Sequence, residues 1–126
     1  MDELTHLEQA VLRMFLAGSH PALAALRRQL AAARASSRRG TATSFSTRLD
    51  VGGVAPAAVA ARRVVLSDVE AEIPGLAHRA SFALFVTDGR LERLEGATRA
   101  GEEWPRDLAG FTLHHVEPDR DLADLG

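Results

Sequence analysis

Hydrophobic side chains recur at helical spacing in the first third of the chain and then change to a spacing of two. Apolar positions three and four residues apart predict helices over about 5–17 and 21–34. Thr5 and Glu8 form a capping-box pattern at the start of the first helix, and Pro21 suits the first turn of the second. The short link through Gly18 predicts that the two helices form a helical hairpin.

From about residue 43 onward, the period of two indicates half-buried strands. It predicts strands at about 43–51, 65–73, 81–87, 90–95 and 111–116. Asp88 and Gly89 separate the third from the fourth, and this dipeptide is the strongest short-range hairpin signal because the turn requires positive φ angles. Both faces of 81–87 are apolar, which favours a central position in the sheet.

Two segments leave alternatives open. The Ala-rich stretch 55–63 reads either as a short helix opened by Pro56 or as a connector. In 65–73, strict alternation of apolar residues with acids favours a strand, while a helix running through Val59 and Leu66 is the competing interpretation.

Together these elements predict one α+β domain over residues 1–126, with an N-terminal helical hairpin packed on one face of a four- to five-stranded antiparallel sheet. The absence of Cys excludes disulfides, a thiolate nucleophile and Cys-ligated metal, and it fits a reducing compartment. The N-terminus lacks the pattern of a signal peptide, and no apolar run approaches the roughly 20 residues of a membrane span. We therefore expect a cytoplasmic protein that does not associate with membranes.

Charge is unevenly distributed along the chain. All 15 basic residues are Arg, which is typical of GC-rich bacterial genomes and excludes any catalytic or phosphate-binding lysine. The net charge of −2 hides nine Arg against four acids in residues 1–63 and six Arg against thirteen acids in residues 64–126. Either the two halves attract each other when folded, or the surface carries two signs that orient a partner.

Three acids, Asp68, Glu70 and Glu72, alternate along the predicted strand 65–73. Paired carboxylates at about 5–9 Å can perform acid–base chemistry on a glycoside. The competing interpretation is a solvated strand face balanced by arginines such as Arg93.

The remaining candidate residues are His114, His115 and Trp104. Adjacent histidines on a strand point to opposite faces, so they cannot chelate one ion without a bulge, and we predict no metal and no cofactor. Trp104 lies in a loop and either packs at the edge of the core or anchors a partner. The basic cluster between Arg27 and Arg39 contains no aromatic residue for base stacking, so nucleic acid is not an expected partner.

Two segments carry a resemblance. Phe82-Ala-Leu-Phe-Val-Thr-Asp-Gly-Arg-Leu91 with Leu94-Glu-Gly96, followed by Glu102-Glu-Trp-Pro105, resembles small uncharacterised bacterial α+β proteins. In these proteins an N-terminal helical pair precedes a strand-rich half. The resemblance implies fold and bacterial source, and it brings no activity, cofactor or site residue with it.

The sequence favours a non-catalytic protein-binding module, inhibitor- or immunity-like in one form, that uses an acidic sheet face or an edge strand. It carries no local catalytic motif, and whether the protein is an enzyme stays open. The partner would be another protein or a second copy of the chain. The alternatives are a small-ligand binder or enzyme with a carboxylate/His pocket between helices and sheet, and a self-associating structural subunit. The predicted binding residues are Asp68, Glu70, Glu72, Arg93, Trp104, His114 and His115.

Overall fold

The computed structural model describes residues 1–106, 108, 110–116 and 120–126, which form two helices and a seven-stranded antiparallel sheet. The helices are α1 (His6–Phe15) and α2 (Pro21–Ala32). The strands are β1 (Arg34–Gly40), β2 (Ser44–Asp50), β3 (Arg63–Leu66), β4 (Val69–Glu72), β5 (Ala80–Thr87), β6 (Arg90–Ala97) and β7 (Thr112–His115). Their order is β1-β2-β6-β5-β4-β7, and β3 also pairs with β5.

The predicted α+β class and the placement of both helices on the sheet are confirmed, with seven strands where four or five were expected. Helix α1 contacts β4, β5 and β7, and α2 contacts β6, so one face of the sheet is buried beneath the helical hairpin. Within the described ranges, no helix combines the length and hydropathy that crossing a membrane requires.

The helix ends follow local sequence signals. The Thr5 hydroxyl accepts from Glu8 N at 3.1 Å, and the Glu8 carboxylate accepts from Thr5 N at 2.8 Å, which is the predicted capping box. At the second helix, His20 Nδ1 accepts from Ala22 N at 3.0 Å. Helix α2 ends at Ala32, two residues before the predicted end.

Strand β1 was not predicted, because residues 34–40 were assigned to the end of α2 and a break. They contain only one apolar side chain, Ala35, so no period of two is visible in them. Pairing with β2 forms the strand instead, with Ala35 opposite Leu49 and Gly40 opposite Phe45. Tertiary pairing thus overrides weak local propensity at this edge of the sheet.

The predicted strand 65–73 is two short strands, and the competing helix is excluded. The buried apolar residues over 63–73 are Val64, Leu66, Val69, Ala71 and Ile73. The spacing of three between Leu66 and Val69 reverses the alternation, so the strand breaks at residues 67 and 68 to keep both apolar sets facing the helices. Residues 51–62 form neither helix nor strand, which resolves most of 55–63 as a connector, with Arg63 opening β3.

The hairpin between β5 and β6 turns at the predicted dipeptide. Asp88 and Gly89 have φ angles of 51° and 74°, as a two-residue type I′ turn requires. A Cβ atom at Gly89 would lie 2.1 Å from the carbonyl oxygen of Ala57, so the connector excludes any larger residue. Strand β5 is central, since it pairs with β3, β4 and β6.

A buried amide joins this turn to α2. The side chain of Gln29 is fully buried, and its Nε2 donates to the carbonyls of Gly89 (2.7 Å) and Ala55 (3.2 Å). Its Oε1 accepts from Leu91 N at 2.9 Å. Gln29 therefore provides an acceptor for the buried Leu91 N–H and a second donor to Gly89 O, which also accepts from Ala57 N at 2.8 Å.

We expect Gln29→Leu to lower the free energy of unfolding by about 2 kcal/mol, because an apolar side chain of similar size removes the acceptor of the buried Leu91 N–H and one of the two donors to Gly89 O. Urea unfolding followed by the emission of Trp104 measures this change. Gln9→Leu on the half-buried side of α1 is the matched control, with an expected change within about 0.5 kcal/mol. Equal effects of the two substitutions would contradict the role of Gln29.

Candidate functional site

The predicted acidic row is charge-balanced in the structure. Glu70 and Glu72 lie on the sheet face away from the helices, where Glu70 forms an ion pair with Arg99 and lies 3.8 Å from Arg79 Nη1. Glu72 Oε1 lies 3.3 Å from Arg79 Nη2, and Glu72 Oε2 lies 3.6 Å from His114 Nε2. This part of the sheet face therefore presents paired charges rather than a negative field.

Asp68 and His115 lie apart from that row and hold the C-terminus of α1. Asp68 Oδ2 accepts from Arg120 Nε at 2.5 Å, and Arg120 in turn donates to the last carbonyl of α1 at 2.7 Å and to a carbonyl two residues beyond it at 2.9 Å. The Nε2 of His115 donates to a third carbonyl at 2.9 Å. The three acceptors are the carbonyls of Met14, Phe15 and Ala17. Donors at a helix C-terminus satisfy carbonyls that have no partner within the helix, so His115 has a structural role there, and Asp68 has one through its ion pair with Arg120.

Arg93 and Trp104 lie on opposite sides of the sheet. The guanidinium of Arg93 covers the ring of Phe85 at 4.4 Å on the uncovered face, and its Nε lies 3.1 Å from Glu95 Oε1. Trp104 is half-buried on the other side. Its ring packs 5.5 Å from that of Phe45, which matches packing at the edge of the core.

The seven predicted binding residues thus do not converge on one pocket between helices and sheet. Glu70, Glu72, Arg93 and His114 share the uncovered face, whereas Asp68, His115 and Trp104 serve the helix-covered side and its rim. Among the described residues, no group of three or more His, Asp or Glu side chains is arranged to hold a metal ion.

The structure adds a buried carboxylate that sequence reasoning treated only as a helix cap. Glu8 accepts from Arg38 Nη2 at 2.7 Å, from Arg38 Nε at 3.2 Å and from Thr47 Oγ1 at 2.5 Å. Burial acts to raise the pKa of Glu8, but hydrogen bonds from Arg38, Thr47 and the Thr5 backbone outweigh it, so this pKa lies below its ordinary value. The signal in the sequence was Thr47, a polar residue on the apolar side of a predicted strand.

Strand β1 forms an exposed edge of the sheet. Of its seven residues only Ala35 is buried. Arg34 and Arg39 of this strand and Arg48 of β2 lie on the uncovered face, since each is opposite a residue of that face in the strand register. We call these three residues the arginine strip; none of them has an ion-pair partner within the part of the chain that the structure describes.

The ion pairs show whether the two oppositely charged halves of the chain attract each other in the fold. In the described ranges only one ion pair, Arg62 with Asp88 at 3.2 Å, links residues 1–63 to residues 64–126. The other carboxylates of the second half with ion pairs are matched by side chains of the same half. Among the described residues, much of the positive charge of the first half is therefore left without an ion pair, and the arginine strip is the part of it that lies on the sheet edge formed by β1 and β2.

A shallow trough lies beside the strip on the uncovered face. Its volume is about 660 Å³, and small side chains form most of its surface, so another backbone can approach the sheet closely there. The side chains that line the trough include Arg39, Ser44, Ser46, Ser81, Ala83 and Glu95.

We expect the Glu8 carboxylate to stabilise the fold in a pH-dependent way. Because its folded-state pKa lies below the reference value of 4.5, its contribution is present above that pH and is lost as the pH falls through the folded-state pKa. Glu8→Gln should lower the free energy of unfolding by about 2 kcal/mol at pH 7, and the difference from the unaltered chain should shrink towards pH 3.

Urea unfolding at both pH values measures the effect, with Glu103→Gln at an exposed position as the control. A difference between the unaltered chain and Glu8→Gln that does not change with pH would contradict the ionised, hydrogen-bonded state of Glu8.

The exposed edge of β1, the arginine strip and the trough together form the candidate site. Comparisons of the chain with protein-family models, curated proteins and solved structures find no match. The function is therefore argued below from the chemistry of these residues alone.

Proposed function

We propose that this protein is a non-catalytic protein-binding module that docks an extended segment of a partner along the edge of β1. The observation that carries the proposal is that the outer side of β1 is exposed and largely unpaired among the described residues. The strand is exposed, and beyond Ala35 no described residue pairs with its outer side. An unpaired strand edge is a template for a further strand, and many recognition domains bind peptides in this way.

The uncovered sheet face supports docking in preference to catalysis. Its carboxylates at Glu70, Glu72 and Glu95 are engaged by arginine or histidine side chains. The buried Glu8 carboxylate accepts hydrogen bonds from Arg38, Thr47 and the Thr5 backbone and its pKa is lowered, whereas a general acid at neutral pH requires a raised pKa. These groups serve the fold, and within the described ranges the features left for a partner are a backbone edge and the arginine strip.

A photo-cross-linking amino acid at Ser37, on the exposed edge, tests the proposal in bacterial extracts. We expect one dominant cross-linked protein from position 37 and none from position 31, an exposed residue of α2 that serves as the control. Equal cross-linking from both positions would contradict docking on β1. Cross-linking to a second copy of the chain would support the self-associating subunit instead.

A second candidate, binding of a small ligand, is favoured by one cavity. It lies between the first turn of α1 and the β1–β2 hairpin, has a volume of about 310 Å³ and is lined by Leu7, Phe45 and Trp104 among others. The indole N–H of Trp104 is buried and has no hydrogen-bond partner in the described part of the chain. Glu8 and Arg38 at the same cavity neutralise each other, so a ligand would be neutral and apolar with one hydrogen-bond acceptor.

Because Trp104 is the only tryptophan, its indole N–H gives a single NMR signal. Titration with cyclohexanone, a neutral ring with one acceptor, should shift that signal saturably while the amide of Asp88 in the distant hairpin turn does not move. An unchanged indole signal at millimolar cyclohexanone would remove this second candidate.

A further inference from the structure

We infer that the partner segment is an extended, carboxylate-bearing stretch of another protein, and that Asp2 and Glu3 of this chain occupy part of its binding site. The inference rests on the proposed function, because it concerns the same edge of β1. We call Asp2 and Glu3 the N-terminal arm.

The N-terminal arm already pairs with the edge of β1 through Asp2. Asp2 N donates to Ala35 O at 3.0 Å, and Ala35 N donates to Asp2 O at 2.8 Å, an isolated antiparallel bridge. In the folded protein, the edge of β1 therefore already pairs with the backbone of a residue that carries an acidic side chain. The bridge also shows that the backbone groups of Ala35 point outward, away from β2.

A fixed guanidinium selects for oxygen acceptors beside this bridge. Arg38 is held by Glu8, and its Nη2 also donates to Glu3 O at 2.9 Å while its Nη1 lies 3.6 Å from Asp2 Oδ2. Because Glu8 fixes the side chain, Arg38 loses little further conformational freedom when it binds a segment on the edge.

The arginine strip extends this preference along the rest of the edge. Arg34, Arg39 and Arg48 are exposed and have no ion-pair partner among the described residues. A second copy paired through β1 would bring two sets of these cations together, which disfavours self-association. Carboxylates on a partner strand would instead meet complementary charge and be attracted from a distance.

The direction of the N-terminal arm determines how it interferes. Since Asp2 runs antiparallel to Ala35, chain that precedes Asp2 lies towards residues 36–40 of β1. A partner strand with the same direction can pair with 37–40 alone, or with the whole of β1 once the arm leaves. The arm thus competes for the Ala35 end of the site and limits the length of strand that binds.

Fluorescence anisotropy with a labelled peptide in which valine alternates with glutamate tests the inference, using the full chain. We expect the peptide to bind and its glutamine counterpart to bind about tenfold more weakly, with the difference decreasing as salt rises. Arg39→Glu should weaken binding of the acidic peptide about tenfold or more. Arg28→Glu, at an exposed position on α2, is the matched control and should change the affinity less than twofold.

Asp2→Pro tests the N-terminal arm, because proline removes both the N–H that donates to Ala35 and the carboxylate. We expect about tenfold tighter binding of the acidic peptide, with a smaller gain for Asp2→Asn, which retains the backbone bridge. Circular dichroism confirms that each variant remains folded.

The outcomes separate the inference from the proposed function. Equal binding of both peptides, or none of either, overturns the carboxylate-bearing partner, while specific cross-linking from position 37 still supports docking on β1. Unchanged affinity of Asp2→Pro overturns competition by the arm. A labelled single-stranded oligonucleotide that binds more tightly than the peptide, and is lost with Arg39→Glu, would overturn a protein partner.

Discussion

One constraint organises the sheet: the buried apolar side chains of its strands face the two helices. The spacing between Leu66 and Val69 breaks the alternation, and the chain responds by dividing the strand into β3 and β4. A bulge between β5 and β6 leaves Glu92 without an opposite residue in the strand register. This bulge keeps both Leu91 and Leu94 buried. Breaks and bulges in this sheet are therefore the means by which one face stays apolar.

The same constraint explains where two buried polar side chains of the helices lie. Gln29 reaches the hairpin turn from α2, and Glu8 reaches Arg38 and Thr47 from α1. Both side chains connect a helix to the sheet through several hydrogen bonds in a region that excludes water. Such fully satisfied polar groups fix the position of each helix over particular strands, which apolar packing alone specifies less sharply.

Much of the fold was visible in the sequence because its signals were local. The capping box at Thr5 and the turn at Asp88 and Gly89 each depend on residues within a few positions of one another. Strand β1 gave no such signal, because its place in the sheet depends on pairing with β2.

The candidate site depended still more on long-range contacts. The acids Glu70 and Glu72 were visible, but the arginines that neutralise them lie up to 29 residues away in the chain. Arg34 and Arg39 were visible as part of a basic cluster, and only the sheet order places them at an exposed edge.

An exposed strand edge is a hazard unless the protein limits what pairs with it. The edge of β1 combines a bulge between Ala35 and Ser37 with three arginines, both of which oppose indiscriminate pairing with neutral or basic strands. The arginines disfavour neutral or basic strands and attract carboxylates. The same side chains that protect the edge therefore also select acidic segments for binding. The pairing of Asp2 with Ala35 agrees with this preference, since Asp2 is an acidic residue whose carboxylate lies 3.6 Å from Arg38 Nη1.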